Sequence, residues 1–219
     1  MKWIRKIFSE NEFLWTAIRF YAVGLLLFII PYTRELFFFI IPVVLLLNLL
    51  VILYFHKEWS LKAGIVFFFV FLASLLLEMR GVTDPRIFGS YRYLDTLGLK
   101  INHTPLIIGV NWLMLVYGSH AIVSRKIKRP WLRIISASSL MVTYDIIIEV
   151  IAPEFEMWEF NQPYPPLQNF ITWFITSAVF LSLFELARIN TRNRYARILF
   201  IVQMAFFLIL SLYIHFAHS

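Results

Sequence analysis

The length of its apolar runs constrains this chain more than any other feature. Residues 43–55 read VVLLLNLLVILYF, and runs of similar character recur along the 219 residues. Apolar residues make up 60% of the chain and charged residues only 15%. A soluble fold of this size could not bury so much apolar surface. The sequence therefore predicts that lipid surrounds most of the chain.

Seven segments are long enough to be candidate membrane spans. A span needs about 20 mostly apolar residues, and inside lipid its backbone groups must be hydrogen-bonded locally, as in a helix. The predicted spans are residues 13–31, 36–55, 61–79, 105–124, 132–151, 168–187 and 196–216. We therefore predict an all-α, polytopic membrane bundle of about seven transmembrane helices, formed by a single domain over residues 1–219.

The positions of Lys and Arg predict the orientation of this bundle in the membrane. With seven spans, fourteen basic residues fall on the side of the N-terminus and five on the other, while Arg19 lies inside the first span. Basic loops stay in the cytoplasm, so the N-terminus is predicted inside and the C-terminus outside. We interpret the start of the chain, with Lys2, Arg5 and Lys6, as an uncleaved cytoplasmic segment. The expected location is the cytoplasmic (inner) membrane of a bacterium.

Two polar segments stand out against this apolar background. Residues 78–105 and 152–166 contain acids, aromatic residues, and glycines or prolines, and both fall on the predicted outer side. Loops longer than about 12 residues without structure of their own are often functional. We expect the two segments to face each other across one mouth of the bundle.

Three carboxyl groups are predicted at the depth of this mouth. Asp145 and Glu149 are four residues apart and share one helix face, and Glu78 is placed at the outer end of the third span. Ionisable groups in a membrane helix are costly and usually face a polar interior. Desolvation and mutual repulsion favour neutral carboxylic acids, which can donate protons. The alternative is structural: the acids could pair with Arg80, Arg86 or Arg92.

Neutral side chains near these acids could complete a pocket. Aromatic faces stabilise cations, and the candidates near the mouth are Tyr91, Tyr93, Tyr144, Trp112, Trp158, Phe160, Tyr164 and Trp173. Asn111 and Asn169, early in the fourth and sixth spans, could hold a water molecule. At the other end of the bundle, Glu185 and Arg188 are expected to form a local ion pair.

Several classes of function lack their usual signals here. The chain has no cysteine, no glycine-rich nucleotide loop and no cluster of histidines, so we expect no metal and no cofactor. The formal charge of +7 is explained by topology and does not indicate nucleic-acid binding. The run DIIIE, residues 145–149, could be half of the acidic motif of a membrane prenyltransferase, but no second such motif accompanies it.

Three segments resemble the carotenoid hydratases of the CruF type, a multi-pass membrane family. They begin EMRGVTDPRIFGSYRYLDTLG at residue 78, YDIIIEVIAPEFEMWEF at residue 144 and PPLQNFITWF at residue 165, within a core of about residues 75–185. Positions on the family pattern are Glu78, Gly81, Thr83, Phe88, Gly89, Tyr91, Tyr93, Leu97, Gly98, Pro105, Asn111, Trp112, Asp145, Glu149, Trp158 and Asn169. The chain departs from the pattern at Asp84, at Val150 and in the turn INHTP, residues 101–105.

The resemblance implies that a terminal double bond of an acyclic carotenoid is hydrated to a tertiary alcohol. Such a reaction begins with protonation, and we expect Asp145 to donate the proton, Glu149 to orient water or restore the proton, and Glu78 to complete the pocket. Tyr91, Tyr93, Trp112 and Trp158 would line the cation pocket, and Asn111 and Asn169 would position water. The implied partners are the lipophilic carotenoid, membrane lipid and other enzymes of the pathway.

Two other functions stay open at this point. A membrane cyclase of the lycopene type would form the same cation and quench it by ring closure. A non-catalytic carotenoid-binding protein would leave the pigment chemically unchanged.

Overall fold

The structure is a computed structural model that describes residues 9–217, except the side chains of residues 31, 34–37 and 217. This region is mostly helical. Its eight α-helices are α1 (Glu10–Ile29), α2 (Arg34–Tyr54), α3 (Leu61–Thr83), α4 (Pro85–Phe88), α5 (Ile107–Val123), α6 (Pro130–Glu149), α7 (Leu167–Leu186) and α8 (Arg194–Ala217), with a 3₁₀ turn at Pro31–Thr33. Its four short strands are β1 (Tyr91–Tyr93), β2 (Lys100–Ile101), β3 (Thr104–Pro105) and β4 (Trp158–Phe160).

Five of these helices are long and apolar enough to cross a membrane: α1, α3, α6, α7 and α8. Residues Phe38–Tyr54 of α2 and the whole of α5 form shorter apolar helices. The fold is therefore that of a helical, multi-pass membrane protein. The number of seven spans and the orientation stay predictions, and Lys2, Arg5 and Lys6 lie outside the described residues.

Local hydrogen bonds set where several helices begin. Helix α1 begins earlier than the predicted span because Ser9 and Glu12 form a reciprocal capping box at its start. The hydroxyl of Ser60 accepts from the backbone N–H of Ala63 at 3.1 Å and caps α3. Asp84 caps α4 by accepting from the backbone N–H of Arg86 at 3.1 Å, with Pro85 at the first helical position.

Helix α5 is the centre of the bundle. It packs against α2, α3, α6, α7 and α8, and nearly all of its residues are buried. Two glycines allow close approach: a Cβ on Gly109 would lie 2.7 Å from the carbonyl oxygen of Phe71, and one on Gly118 would lie 3.1 Å from the Phe200 side chain. A helix that is apolar all round suits this central position.

The outer helices expose apolar side chains on the faces that point away from α5. Phe68 is 64% exposed and Ile175 is 57% exposed. Apolar exposure of this extent in a helical bundle indicates contact with lipid.

The two polar segments meet, as the sequence predicts. Strands β1 and β4 pair antiparallel, with Tyr91 opposite Phe160 and Tyr93 opposite Trp158. These strands were not predicted, because three residues are too few for a periodic pattern. The alternation buries Tyr91 and Tyr93 and leaves Arg92 exposed.

The turn INHTP, where the sequence departs from the family pattern, forms a hairpin between β2 and β3. Asn102 and His103 both adopt positive φ angles, 48° and 63°. Tight two-residue hairpins favour this left-handed geometry, which asparagine tolerates better than most residues. The hairpin therefore forms here without glycine.

Candidate active site

Glu78 is the most completely hydrogen-bonded carboxyl group of the site. Its Oε2 accepts from the hydroxyls of Tyr91 at 2.7 Å and Tyr93 at 2.8 Å, and its Oε1 accepts from the indole N–H of Trp112 at 2.8 Å. Only 4% of the residue is exposed. Burial, and then the charge of Glu78, raise the pKa of Tyr91 and of Tyr93, so both hydroxyls keep their protons. Glu78 therefore acts as an acceptor in all three bonds, an arrangement that suits a carboxylate.

Gly81 makes room for this arrangement one turn after Glu78. A Cβ at Gly81 would lie 2.4 Å from Cδ2 of Phe88 and 3.1 Å from the hydroxyl of Tyr91. The missing side chain lets the chain fold back after α4, so that Tyr91 reaches Glu78. The packing of the site therefore requires a residue without a side chain three positions after Glu78.

Asp145 lies fully buried in α6, with 0% exposure. Its Oδ2 accepts from the side-chain amide of Asn169 in α7 at 2.8 Å. Its Oδ1 has no hydrogen-bond partner among residues 9–217. Because buried polar atoms are nearly always paired, an unpaired carboxyl oxygen marks a place where a proton or a ligand atom can be held.

Glu149 lies at the C-terminal end of α6 and is partly exposed. Its Oε2 accepts from the indole N–H of Trp158 at 3.0 Å, so strand β4 holds the carboxyl group against the helix end. As the sequence predicts, Asp145, one turn deeper, is the less exposed of the two.

The nearby arginines do not neutralise these three acids. Arg80 and Arg86 pair with Asp84 at 3.5 Å and 2.8 Å, and Arg92 pairs with Glu159 across the β1–β4 ladder. Hydrogen bonds from Arg86 hold the pKa of Asp84 well below its usual range. Within the described region, the donors to Glu78, Asp145 and Glu149 are the neutral groups of Tyr, Trp and Asn. The structural alternative, in which these acids fasten a loop by ion pairs, is therefore wrong.

We call the space between these elements the acid cavity; its volume is about 20 Å³. It is lined by Glu78, Phe88, Tyr91, Tyr93, Ile108, Asn111, Tyr144, Ile148, Glu149, Trp158, Phe160, Asn169 and Trp173. The space free of atoms is enough for about one water molecule. Most predicted site residues thus line one cavity.

Two predicted residues are part of this site without lining the cavity. Trp112 is fully buried, donates to Glu78, and stacks on Trp173 at 4.1 Å between ring centroids. Trp173, which stacks on Trp112, lines the cavity wall instead. Asp145 is also absent from the wall and reaches it through its bond to Asn169.

A second space, which we call the apolar cavity, adjoins the first. Its volume is about 50 Å³ and its walls come from α1, α2, α5, α6 and α8, with the segments around Leu97 and Phe155. The two cavities share Ile108, Asn111, Tyr144, Ile148 and Trp158. Sequence reasoning missed this cavity because residues such as Phe206 and Phe207 resemble any other apolar helix positions.

No group of three or more His, Asp or Glu side chains able to hold a metal ion occurs in the part of the chain that the structure describes. Each of the three carboxyl groups of the site accepts hydrogen bonds from Tyr, Trp or Asn side chains, and the three do not form such a group.

One of three comparisons with known proteins found a match. No curated protein and no solved structure is similar enough to the chain to count as a match. The family model described as carotenoid biosynthesis protein matches residues 37–218. That match includes both polar segments, the three acids and the helices that carry them. The chain therefore belongs to the carotenoid biosynthesis protein family.

Proposed function

We propose that the protein hydrates the terminal double bond of an acyclic carotenoid end group to a tertiary alcohol. The observation that carries the proposal is the group of Glu78, Asp145 and Glu149 beside an apolar cavity, hydrogen-bonded only by neutral donors among residues 9–217. An alkene is hydrated by protonation and then capture of the cation by water, which requires an acid, a pocket that tolerates a cation and a held water molecule. The acid cavity has carboxyl groups and aromatic side chains in its walls and room for about one water molecule.

The apolar cavity is the proposed binding site of the polyene. Its walls consist mainly of aliphatic and aromatic side chains, the surface that an apolar polyene requires. Because it shares Asn111 and Trp158 with the acid cavity, a chain in it would place one end group beside the acids. A carotenoid is comparable in length with the ~30 Å apolar core of a bilayer, so the rest of the chain can stay within lipid.

Asp145 is the proposed proton donor, since its free oxygen is the one buried carboxyl oxygen in the described region without a partner. Asp145 does not line the wall, so its proton reaches the alkene through one water molecule, a distance over which general acids act. The carbon next to the protonated one becomes a tertiary cation. The water molecule that relayed the proton then adds to this cation and loses a proton to Glu149, which lies at the wall.

The proton on Glu149 then returns to Asp145 along the shared face of α6. The net change is one alkene and one water converted to one alcohol, with the two carboxyl groups restored. Glu78 keeps its negative charge near the cation and, with Tyr91, Tyr93 and Trp158, stabilises it. Asn111 and Asn169 orient the water molecule.

The product distinguishes this proposal from its rivals. Purified protein in lipid, supplied with an acyclic carotenoid in oxygen-18 water, should give a product heavier by one labelled water. An unchanged mass with a new ring would show a cyclase, and unchanged pigment would show a binding protein. Label taken from molecular oxygen would make the protein a hydroxylase.

We further propose that the acid cavity opens on the outer side of a bacterial cytoplasmic membrane. The support is the excess of Lys and Arg at the opposite end of the helices. A reporter that is active only outside should work when fused after the C-terminus and fail near Lys128. The reverse pattern would place the acid cavity on the cytoplasmic side.

A further inference from the structure

The end of the bundle opposite the acid cavity holds a third space, which we call the basic cavity. It is an open cavity of about 660 Å³ between the ends of α5 and α7 and the starts of α6 and α8. Its lining includes six cationic side chains besides Arg133: Lys57, Arg125, Arg188, Arg192, Arg194 and Arg197.

The one carboxyl group in this lining is already neutralised. Glu185 accepts from Nε of Arg133 at 2.5 Å and bonds Nε2 of His120 at 2.8 Å. The expected pair of Glu185 with Arg188 is therefore wrong. His120 also bonds the hydroxyl of Thr191 at 2.7 Å, and both residues are buried, so a closed polar network forms the floor.

The remaining cations have no carboxylate partner within residues 9–217. Arg194 donates to the neutral side chain of Asn11 at 2.6 Å. Like charges gathered at one cavity repel each other, and their field attracts an anion.

The helix ends strengthen this field. Helix α8 begins at Arg194, where Asn193 accepts from the backbone N–H of Ala196 at 3.0 Å, and its first turn contains no acidic residue. Arg194 and Arg197 therefore lie at the positive end of the helix dipole, where cations are disfavoured and anions are stabilised. Glu10 of α1 offsets part of this cost, because its carboxylate accepts from the backbone N–H of Tyr195 at 3.0 Å, and a bound anion would offset more of it.

We propose that the basic cavity binds the phosphate headgroup of an anionic phospholipid. The cavity lies at the ends of apolar helices that are long enough to span a membrane, which is the level of lipid headgroups. Its volume far exceeds what a free phosphate ion needs, and it leaves room for a headgroup with its glycerol. Arginine forks suit phosphate oxygens, and basic pockets between membrane helices recognise such headgroups.

The simplest competing explanation is general attraction between a basic surface and an acidic membrane. The chain offers a matched control, because Lys126 and Lys128 are exposed on the same end of the bundle but do not line the cavity. The double variant Arg192→Gln/Arg197→Gln removes two positive charges from the cavity lining. The double variant Lys126→Gln/Lys128→Gln removes two positive charges from the nearby surface.

The test measures the unfolding temperature of the full chain in neutral detergent. Phosphatidylglycerol should raise it by about 5 °C in the wild type and the Lys126/Lys128 variant, as expected for a ligand well above its dissociation constant, and by far less in the Arg192/Arg197 variant. Phosphatidylcholine should have no effect. If the Arg192/Arg197 variant does not fold, Arg125→Gln takes its place, with a reduced rise expected.

Two results would overturn the proposal. Equal loss of the rise in both double variants would show general surface attraction. A rise of the same size with inorganic phosphate at matched ionic strength would show that the cavity binds free phosphate, not lipid.

Discussion

The acid cavity and the basic cavity lie at opposite ends of α5, α6 and α7, and carboxyl groups are found at both. At the basic end, Glu185 is held by Arg133 and His120, so its charge has a cationic partner. At the acid end, Glu78, Asp145 and Glu149 meet only hydroxyl, indole and amide donors. A carboxylate beside arginine has little reason to take up a proton, whereas a carboxyl group without a cation can exchange one. The surroundings therefore separate a structural acid from candidate catalytic acids.

The largest effect is expected from Asp145→Asn, which keeps shape and polarity but cannot deliver a proton. Turnover of an acyclic carotenoid should fall by about 10²–10⁴-fold, the range for a positioned general acid, while the protein folds and still binds pigment. Glu149→Gln should cost less than about 10²-fold, since Glu149 is partly exposed and solvent can take over its proton transfer. Product formation per folded protein measures both.

Glu78→Gln distinguishes the roles within the acid cavity. If Asp145→Asn kept near-normal turnover while Glu78→Gln were inactive, α3 would supply the proton. Full activity in all three amide variants would show that the three carboxyl groups have a structural role and no catalytic one.

Glu185→Gln should show the opposite pattern. Removing the carboxylate leaves Arg133 without its partner, and the loss should be about 1–3 kcal/mol, between the values for surface and buried pairs, because both side chains are partly exposed. Thermal unfolding in detergent measures it. Turnover per folded molecule should stay close to wild type, because Glu185 lies at the end of the bundle opposite the acid cavity. A loss of turnover like that of Asp145→Asn would remove the contrast between the two ends.

Gly81→Ala should weaken the acid end through packing alone. The new methyl group would overlap Phe88 and press on the hydroxyl of Tyr91, so we expect a loss of about 1–3 kcal/mol in stability. Turnover should also fall, because Tyr91 can no longer hold Glu78. Gly64→Ala is the matched control, since nothing lies within 4 Å of its position in the same helix. Equal effects of the two substitutions would exclude the close approach as the cause.

The smallest effect is expected from Arg92→Gln. Arg92 is 70% exposed in its pair with Glu159, and such surface pairs contribute about 0–1 kcal/mol. Unfolding temperature and turnover should both stay close to wild type. A large loss of turnover would mean that Arg92 does influence the three carboxyl groups, contrary to the geometry.

The sequence by itself determined the class of fold and the end of the bundle that carries the site. Hydropathy is a local property, so apolar runs predict membrane helices without knowledge of their neighbours. Asp145 and Glu149 share a helix face by spacing alone, and the two polar segments had to leave the bundle at the same end. Hydropathy does not fix the number of spans, because the apolar part of α2, Phe38–Tyr54, and the whole of α5 are short for a membrane span.

Only the tertiary structure decided which groups are partners. The hydroxyl groups of Tyr91 and Tyr93 reach Glu78, Asn169 reaches Asp145, and Arg133 takes the place expected for Arg188 beside Glu185. These contacts join residues between 13 and 52 positions apart, and no local pattern encodes them. The apolar cavity is likewise a gap between helices, and such a gap exists only once the helices have packed.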